Sequence, residues 1–160
     1  MYEEILEEIK QSLLENEEVA LGLIRVCNLI EIKLDRYNWV GFYFMNHQTK
    51  KLHLGPYIGS PTDHTVIEFG KGICGQVAES GQSFVVDDVN AQSNYIACSI
   101  DLKSEIVVPM YLGDQLIAQI DIDSNTISAF DHRDDLFLKE VNKLIVERYG
   151  EALLDYATKL

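Results

Sequence analysis

The sequence of 160 residues has few of the features that direct a protein to nucleic acid or into a membrane. Its basic residues are scarce: 13 Lys and Arg stand against 26 Asp and Glu, which gives a formal net charge of -13. So acidic a surface repels phosphate backbones and anionic lipid headgroups. The sequence also lacks any apolar run that approaches the roughly 20 residues of a membrane-spanning helix. We therefore expect neither nucleic acid nor a membrane as a partner.

Cysteine and histidine are also scarce, and their spacing is not that of a zinc site. The three cysteines are Cys27, Cys74 and Cys98, and the four histidines are scattered, with no C-x-x-C pair. We therefore expect no structural zinc site, and nothing else in the sequence calls for a cofactor. The acidic start of the chain lacks the basic residues and the apolar run of a signal peptide. This predicts a cytoplasmic protein, in which permanent disulfides are disfavoured.

Hydrophobic periodicity predicts helices at both ends of the chain. Apolar residues recur at helical spacing over residues 2–13 and again over residues 23–34. Cys27 lies on the apolar face of the second helix, which predicts a thiol packed in the core. Asp131, with Asp134 three residues later, has the pattern of an N-cap and a first-turn carboxylate. These two residues predict the start of a C-terminal helix.

Between the helices, the pattern changes to the alternation that is typical of β-strands. Aromatic and β-branched residues over 38–45, followed by a turn and a second alternating run, predict a hairpin. The strongest strand signal covers residues 106–112 and 115–123, which a two-residue turn joins. Pro109 in this segment predicts a bulge, or a position where no backbone donor is needed. We expect one antiparallel α+β domain over residues 1–160, with about six strands and one short internal helix.

Strand parity predicts two side-chain sets that could line a pocket. A period of two places Asp121 and Asp123 on one face of their strand, beside Gln119. In a pocket, one carboxyl of such a pair has a raised pKa and can donate a proton, whereas on a solvated face the pair serves solubility only. Trp39 and Tyr43 likewise share one face of their strand. They could form the wall of a small-molecule pocket, or the strand could simply be packed on both faces.

Two cysteines and one glutamate complete the candidates for chemistry. Cys74 lies near the start of the short internal helix, where unpaired N–H groups favour a thiolate. Cys98 lies in a polar segment over residues 88–104 that has no clear period, which predicts a functional loop. Glu105 stands at the start of the next strand and supplies a third carboxylate.

Five segments of the chain together resemble a known family. In order and spacing they are similar to the free methionine-(R)-sulfoxide reductases, which are single-domain GAF proteins. The segments are Asn38-Trp-Val-Gly-Phe-Tyr43, Phe69-Gly-Lys-Gly-Ile-Cys-Gly75, Ile96-Ala-Cys98, Lys103-Ser-Glu-Ile-Val-Val-Pro109 and Ile120-Asp-Ile-Asp-Ser124. The resemblance implies a six-stranded antiparallel GAF sheet flanked by helices, with a pocket on one face. It also implies a homodimer.

The resemblance further implies a role for each candidate residue. Cys98 would be the catalytic nucleophile, while Trp39 and Tyr43 would surround the methyl sulfoxide end of the substrate. The carboxylates that would bind the amino acid and polarise the sulfoxide are Glu105, Asp121 and Asp123. Attack by Cys98 on the sulfoxide releases free methionine and leaves a sulfenic acid, which a second thiol converts to a disulfide.

The second thiol is the point at which this chain departs from the family pattern. Members usually carry a further cysteine ten residues before Cys74, and here that position is His64. Recycling would therefore fall to Cys74 or to an external thiol, with thioredoxin or a small-molecule thiol as the reductant. The alternative function is a GAF module that binds a small molecule without catalysis, as a sensor or as a partner-binding unit.

Overall fold

Six antiparallel strands form one sheet in the order β3-β2-β1-β6-β5-β4, with helices on both faces. The computed structural model describes residues 1–92 and 101–160. The helices are α1 (Tyr2–Glu15), α2 (Val19–Lys33), α3 (Gly72–Ser80), α4 (His132–Tyr149) and α5 (Ala152–Ala157). The strands are β1 (Trp39–Asn46), β2 (Lys51–Ile58), β3 (Val66–Glu68), β4 (Phe84–Val86), β5 (Ser104–Leu112) and β6 (Gln115–Ser124). The predicted α+β architecture is confirmed.

The helices begin and pack as their sequence patterns predict. Helix α1 buries Ile5, Ile9 and Leu13, which are four residues apart and therefore form one stripe. Cys27 on α2 is fully buried in the core, as predicted. Helix α4 opens with a capping box between Asp131 and Asp134. No helix within residues 1–92 and 101–160 is long and apolar enough to span a membrane.

Helix α5 is an element that the sequence analysis missed. Gly150 has a positive φ of 53°, and its N–H donates to the carbonyl of Val146 at the end of α4. The chain then turns back, and Leu153 of α5 is fully buried in the core. A helix of six residues is too short for its hydrophobic period to be recognised in the sequence.

The two faces of the sheet pack against different helices. Val40, Phe42 and Phe44 of β1 belong to the larger core, which α1, α2, α4 and α5 cover. Trp39 and Tyr43 point the other way, into a smaller cluster that includes residues of α3. The first strand is therefore buried on both faces. This arrangement places the smaller cluster, with its polar neighbours, between the sheet and α3.

Pro109 lies where β5 has run past the end of its edge partner. Strand β4 pairs only with residues 105–107 of β5. The carbonyl of Pro109 instead accepts a hydrogen bond of 3.0 Å from the side chain of Asn142 on α4. Because the nitrogen and the carbonyl of one strand residue point to the same side, no neighbouring strand lies where the Pro109 donor is missing. Pro109 thus occupies a position where no backbone donor is needed, which confirms the second of the two interpretations.

Candidate active site

The register of the three central strands aligns the predicted polar residues on the α3 side of the sheet. Asp123 on β6 stands directly opposite Trp39 on β1 and directly opposite Glu105 on β5. Asp121, two residues earlier on the same face, lies opposite Gly41. Directly opposed residues have Cβ atoms only about 4.5–5.5 Å apart. The sheet therefore brings the three predicted carboxylates together beside the indole of Trp39.

A β-bulge decides that Glu105 belongs to this face. Near the turn, Tyr111 pairs with Leu116, but Met110 pairs with Ala118, so β6 carries one extra residue at this point. Without this bulge the hairpin would place Glu105 opposite Ile122, whose side chain points into the larger core. The bulge therefore turns Glu105 toward Asp121 and Asp123.

All three carboxylates are buried, and no basic side chain is buried with them. The exposed fractions of Glu105, Asp121 and Asp123 are 4%, 2% and 5%. Every Lys, Arg and His of the chain lies within the described residues, and none of them is buried. Burying an anion without a compensating cation is costly, so protons neutralise such groups.

Burial accordingly shifts the protonation of the two aspartates. Desolvation raises the pKa of Asp121, although hydrogen bonds with Glu105 and Cys74 oppose this shift. Desolvation and the nearby charge of Asp121 raise the pKa of Asp123 well above its ordinary value. One neutral carboxylic acid at this site is what the sequence analysis expected for a pair that lines a pocket.

Cys74 reaches the same site from α3. Its Sγ donates a hydrogen bond of 3.3 Å to Oδ2 of Asp121, and its backbone carbonyl accepts one of 3.2 Å from the side chain of Gln119. Helix α3 packs closely against the backbone of Glu68 because residue 75 is glycine. A Cβ at residue 75 would stand only 2.6 Å from the carbonyl oxygen of Glu68. These contacts hold the Cys74 thiol against the carboxylates.

The expectation that the helix start would favour a thiolate at Cys74 is wrong. Burial, together with the negative charges of Asp121, Glu105 and Asp123, raises the pKa of the Cys74 thiol well above its ordinary value. The partial charge of a helix N-terminus is small beside full desolvation and several nearby carboxylates. Cys74 is therefore a neutral thiol in the state that the structure describes.

Aromatic rings form the opposite wall of the site. The indole Nε1 of Trp39 donates to the carbonyl of Ser60 at 3.0 Å, and its ring stacks on Tyr57 with a centroid distance of 5.2 Å. A Cβ at Gly41 would stand 2.5 Å from the Trp39 ring, so the indole occupies the space beside this glycine. The hydroxyl of Tyr43 donates to the carbonyl of His64 at 2.9 Å.

Two small cavities lie among these residues. One of about 20 Å³ has Tyr43, His64, Cys74 and Asp121 among its lining residues. The other has a volume of about 70 Å³, and its lining residues include Trp39 and Asp123. His64 therefore lines the same cavity as Cys74.

The structure brings together all but one of the predicted site residues. The predicted catalytic Cys98 lies in residues 93–100, outside the described residues. Sequence analysis missed Tyr57, which stands opposite Gly41 and stacks on Trp39. A register shift between β1 and β2 lies next to this pair, and no local sequence pattern indicates it.

Comparisons with known proteins agree with this geometry. Residues 3–145 match the GAF domain family. A free methionine-R-sulfoxide reductase of Saccharomyces cerevisiae is 38% identical over 157 residues, covering 89% of this chain and 84% of that protein. The chain belongs to the free methionine-R-sulfoxide reductase family. This confirms the family and the GAF fold that the five segments indicated.

Solved structures of this reductase family share the fold over nearly the whole chain. The free methionine-R-sulfoxide reductase of Neisseria meningitidis, in complex with its substrate, gives a TM-score of 0.88 at 34% identity, covering 97% of this chain and 91% of that one. The fRMsr of Staphylococcus aureus, also in complex with substrate, gives a TM-score of 0.83 at 33% identity, with 92% and 94% covered. The similarity to these two structures therefore extends over more than nine-tenths of this chain.

Proposed function

We propose that this protein reduces free L-methionine-(R)-sulfoxide to methionine. The observation that carries the proposal is the set of three buried carboxylates, with no buried basic side chain, beside the aromatic wall of Trp39 and Tyr43. Membership of the free methionine-R-sulfoxide reductase family supports it. Such a site suits a small substrate that carries a positive charge at one end and an apolar group at the other.

The carboxylates explain why the substrate would be a free amino acid. A buried anionic site gains most from a ligand cation, and the α-ammonium group of free methionine sulfoxide supplies one. In a peptide this nitrogen is acylated and neutral, so it brings no positive charge to the carboxylates of Glu105, Asp121 and Asp123. Trp39 and Tyr43 then suit the methyl and methylene groups at the other end.

In the proposed reaction, the thiolate of Cys98 attacks the sulfur of the sulfoxide. A neutral carboxylic acid of the Asp121 and Asp123 pair donates a proton to the sulfoxide oxygen, and the sulfur–oxygen bond breaks. The hydroxyl is transferred to the sulfur of Cys98, and the transient bond between the two sulfur atoms breaks with its electron pair on methionine. Cys98 is left as a sulfenic acid, and methionine departs. Methionine sulfur is thereby reduced by two electrons, and Cys98 is oxidised by two.

Cys74 is the thiol within the chain that we propose for recycling Cys98. Its sulfur attacks the sulfenic acid, which forms a disulfide and releases water. The proton of the Cys74 thiol is already shared with Asp121, so this carboxylate can accept it during the attack. Thioredoxin or a small-molecule thiol then reduces the disulfide and regenerates both thiols. We further propose that this reaction takes place in the cytoplasm and that the protein is a homodimer.

Turnover of free methionine-(R)-sulfoxide tests the proposal, with the S epimer and a peptide-bound sulfoxide as controls. We expect only the free R epimer to be reduced, both with dithiothreitol and with a thioredoxin system. Cys98→Ser should abolish turnover, while Cys27→Ala, which changes a core thiol away from the site, should retain it. Cys74→Ser should lose the thioredoxin-dependent rate and keep the dithiothreitol rate.

Other outcomes would contradict specific parts of the proposal. If the protein binds methionine or its sulfoxide but neither reductant supports turnover, the alternative of a non-catalytic GAF binding module replaces the enzyme. If Cys74→Ser keeps its full rate with thioredoxin, an external thiol resolves Cys98 directly.

A further inference from the structure

A thiol and two carboxylates stand close enough at the candidate active site to share one ion. The Sγ of Cys74 and one oxygen each of Glu105 and Asp121 all lie within 4.8 Å of one another. All three side chains are buried. The distance from Sγ of Cys74 to Oδ2 of Asp121 is 3.3 Å.

These separations are close to those of a tetrahedral metal centre. Zinc binds sulfur at about 2.3 Å and carboxylate oxygen at about 2.0–2.2 Å. In a tetrahedron these bond lengths place the ligand atoms about 3.4–3.6 Å apart. The Cys74 and Asp121 atoms, at 3.3 Å, are close to this separation, and the Glu105 oxygen lies within 4.8 Å of both.

Unsatisfied oxygen atoms provide a second observation that points to a cationic ligand. Oδ1 of Asp121 and Oδ1 of Asp123 are buried and have no hydrogen-bond partner among residues 1–92 and 101–160. Asp123 stands directly opposite Glu105 and shares the face of Asp121, so its oxygen is next to the cluster. Buried acceptors without a donor are rare in native proteins and commonly mark the place of a ligand or an ion.

We propose that Cys74, Glu105 and Asp121 form a binding site for a thiophilic divalent cation of the Zn²⁺ class, whose occupancy blocks the reductase. The same carboxylates are those that would pair with the ammonium group of the substrate, so the ion and the substrate exclude each other. The ion also binds the sulfur of Cys74, which would otherwise resolve Cys98. The blocking effect rests on the proposed reductase function, whereas binding of the ion does not.

The ligand set determines which ions the site takes and how binding depends on pH. A thiolate favours Zn²⁺ and Co²⁺ over Mg²⁺ and Ca²⁺, which prefer sites made of oxygen atoms only. Only the thiolate binds the metal, so the proton of Cys74 is released to solvent when the ion enters. Because burial raises the pKa of this thiol, the apparent affinity increases as the pH rises.

Cobalt absorption tests the site independently of any enzymatic activity. Reduced protein carrying Cys98→Ser, freed of thiol reductants, is titrated with Co²⁺ and followed by its thiolate-to-metal charge-transfer band. We expect a band that one equivalent saturates, that Zn²⁺ displaces and that Mg²⁺ and Ca²⁺ leave unchanged. The band should be lost in Cys74→Ser, kept in Cys27→Ala and shifted to at least tenfold higher Co²⁺ concentration in Glu105→Gln.

Circular dichroism of each variant shows whether a lost band reflects a lost fold. Asp121→Asn keeps the shape of the side chain and serves as a second ligand variant, with the same tenfold shift expected. A band that persists in Cys74→Ser, or the absence of any band in folded protein, overturns the proposed site.

A single-turnover assay tests the blocking effect. Dithiothreitol binds zinc, so the pre-reduced wild-type protein receives one equivalent of free methionine-(R)-sulfoxide with no added thiol, and the methionine formed is measured. We expect Zn²⁺ to suppress methionine formation over the concentrations at which it displaces Co²⁺, and a chelator to restore it. Undiminished methionine formation at saturating Zn²⁺ overturns the block. If no methionine forms without metal, the proposed reductase function fails, and the cobalt spectra still decide the site.

Discussion

Two groups of buried carboxylates in this protein have opposite surroundings. Asp134, at the start of α4, accepts hydrogen bonds from the hydroxyls of Tyr2 and Tyr37 at 2.6 and 2.5 Å, and from the backbone N–H of Asp131. Arg36 approaches it to 3.5 Å. Asp121 and Asp123 are buried to a similar extent, yet each has an oxygen without a hydrogen-bond partner in the part of the chain that the structure describes.

The difference supports a structural role for Asp134 and the functional role that we propose for Asp121 and Asp123. The partners of Asp134 come from α1 and the segment before β1, so this carboxylate ties the N-terminal helix to α4. Around Asp121 and Asp123 the fold supplies no buried basic side chain. Burial alone does not identify a functional carboxylate, but burial without satisfied hydrogen bonds points to a ligand that completes the site.

The largest expected effect is on catalysis at Asp121. Replacing a group that donates a proton or binds the substrate should lower kcat/KM by about 100-fold to 10,000-fold in Asp121→Asn. Its thermal midpoint should stay the same or rise, because the variant buries one carboxyl group fewer. Steady-state kinetics and thermal unfolding measure the two quantities. A variant with full activity would show that Asp121 has no part in the reaction.

The matched change at Asp134 should lower stability and leave catalysis unchanged. Asp134→Asn weakens hydrogen bonds to a charged acceptor, so we expect the free energy of unfolding to fall by about 2–3 kcal/mol. Urea unfolding measures this loss. Below the unfolding transition, kcat/KM should match that of the wild type. A reduced kcat/KM in fully folded protein would contradict the structural role.

The protonation of Asp121 should make stability depend on pH. The pKa of Asp121 is raised from an ordinary value of 3.8, so the folded state holds protons that the unfolded state has released. Stability is therefore highest below this value and is lost as the pH rises through the folded pKa. We expect Asp121→Asn to reduce this fall in urea unfolding measured from pH 4 to pH 8. An unchanged pH profile would show that the aspartate is not protonated in the folded protein.

The smallest expected effect concerns the aromatic wall. Tyr57 stacks on Trp39, and an aromatic pair contributes about 0.5–1.5 kcal/mol beyond its buried area. Tyr57→Leu should therefore raise KM by about 2-fold to 10-fold and leave kcat nearly unchanged. Tyr57→Phe keeps the ring and is the matched control. An equal change in KM in both variants would assign the effect to the hydroxyl.

Much of the fold follows from local patterns in the sequence. The stripe on α1, the capping box of α4 and the turn between β5 and β6 depend on neighbours within a few residues, so sequence spacing identifies them. The parity of β6 likewise places Asp121 and Asp123 on one face. The family resemblance added Glu105 and Cys98, whose roles no local pattern determines.

The sequence by itself determined the elements other than α5, the shared face of Asp121 and Asp123, and the family. Tertiary structure decided the site, because the bulge between β5 and β6 turns Glu105 toward that face, and α3 covers it. Burial beneath α3 also made Cys74 a neutral thiol, whereas its place near the start of that helix had predicted a thiolate. Register shifts and desolvation depend on residues far apart in the chain, so they emerge only when the strands and helices pack together.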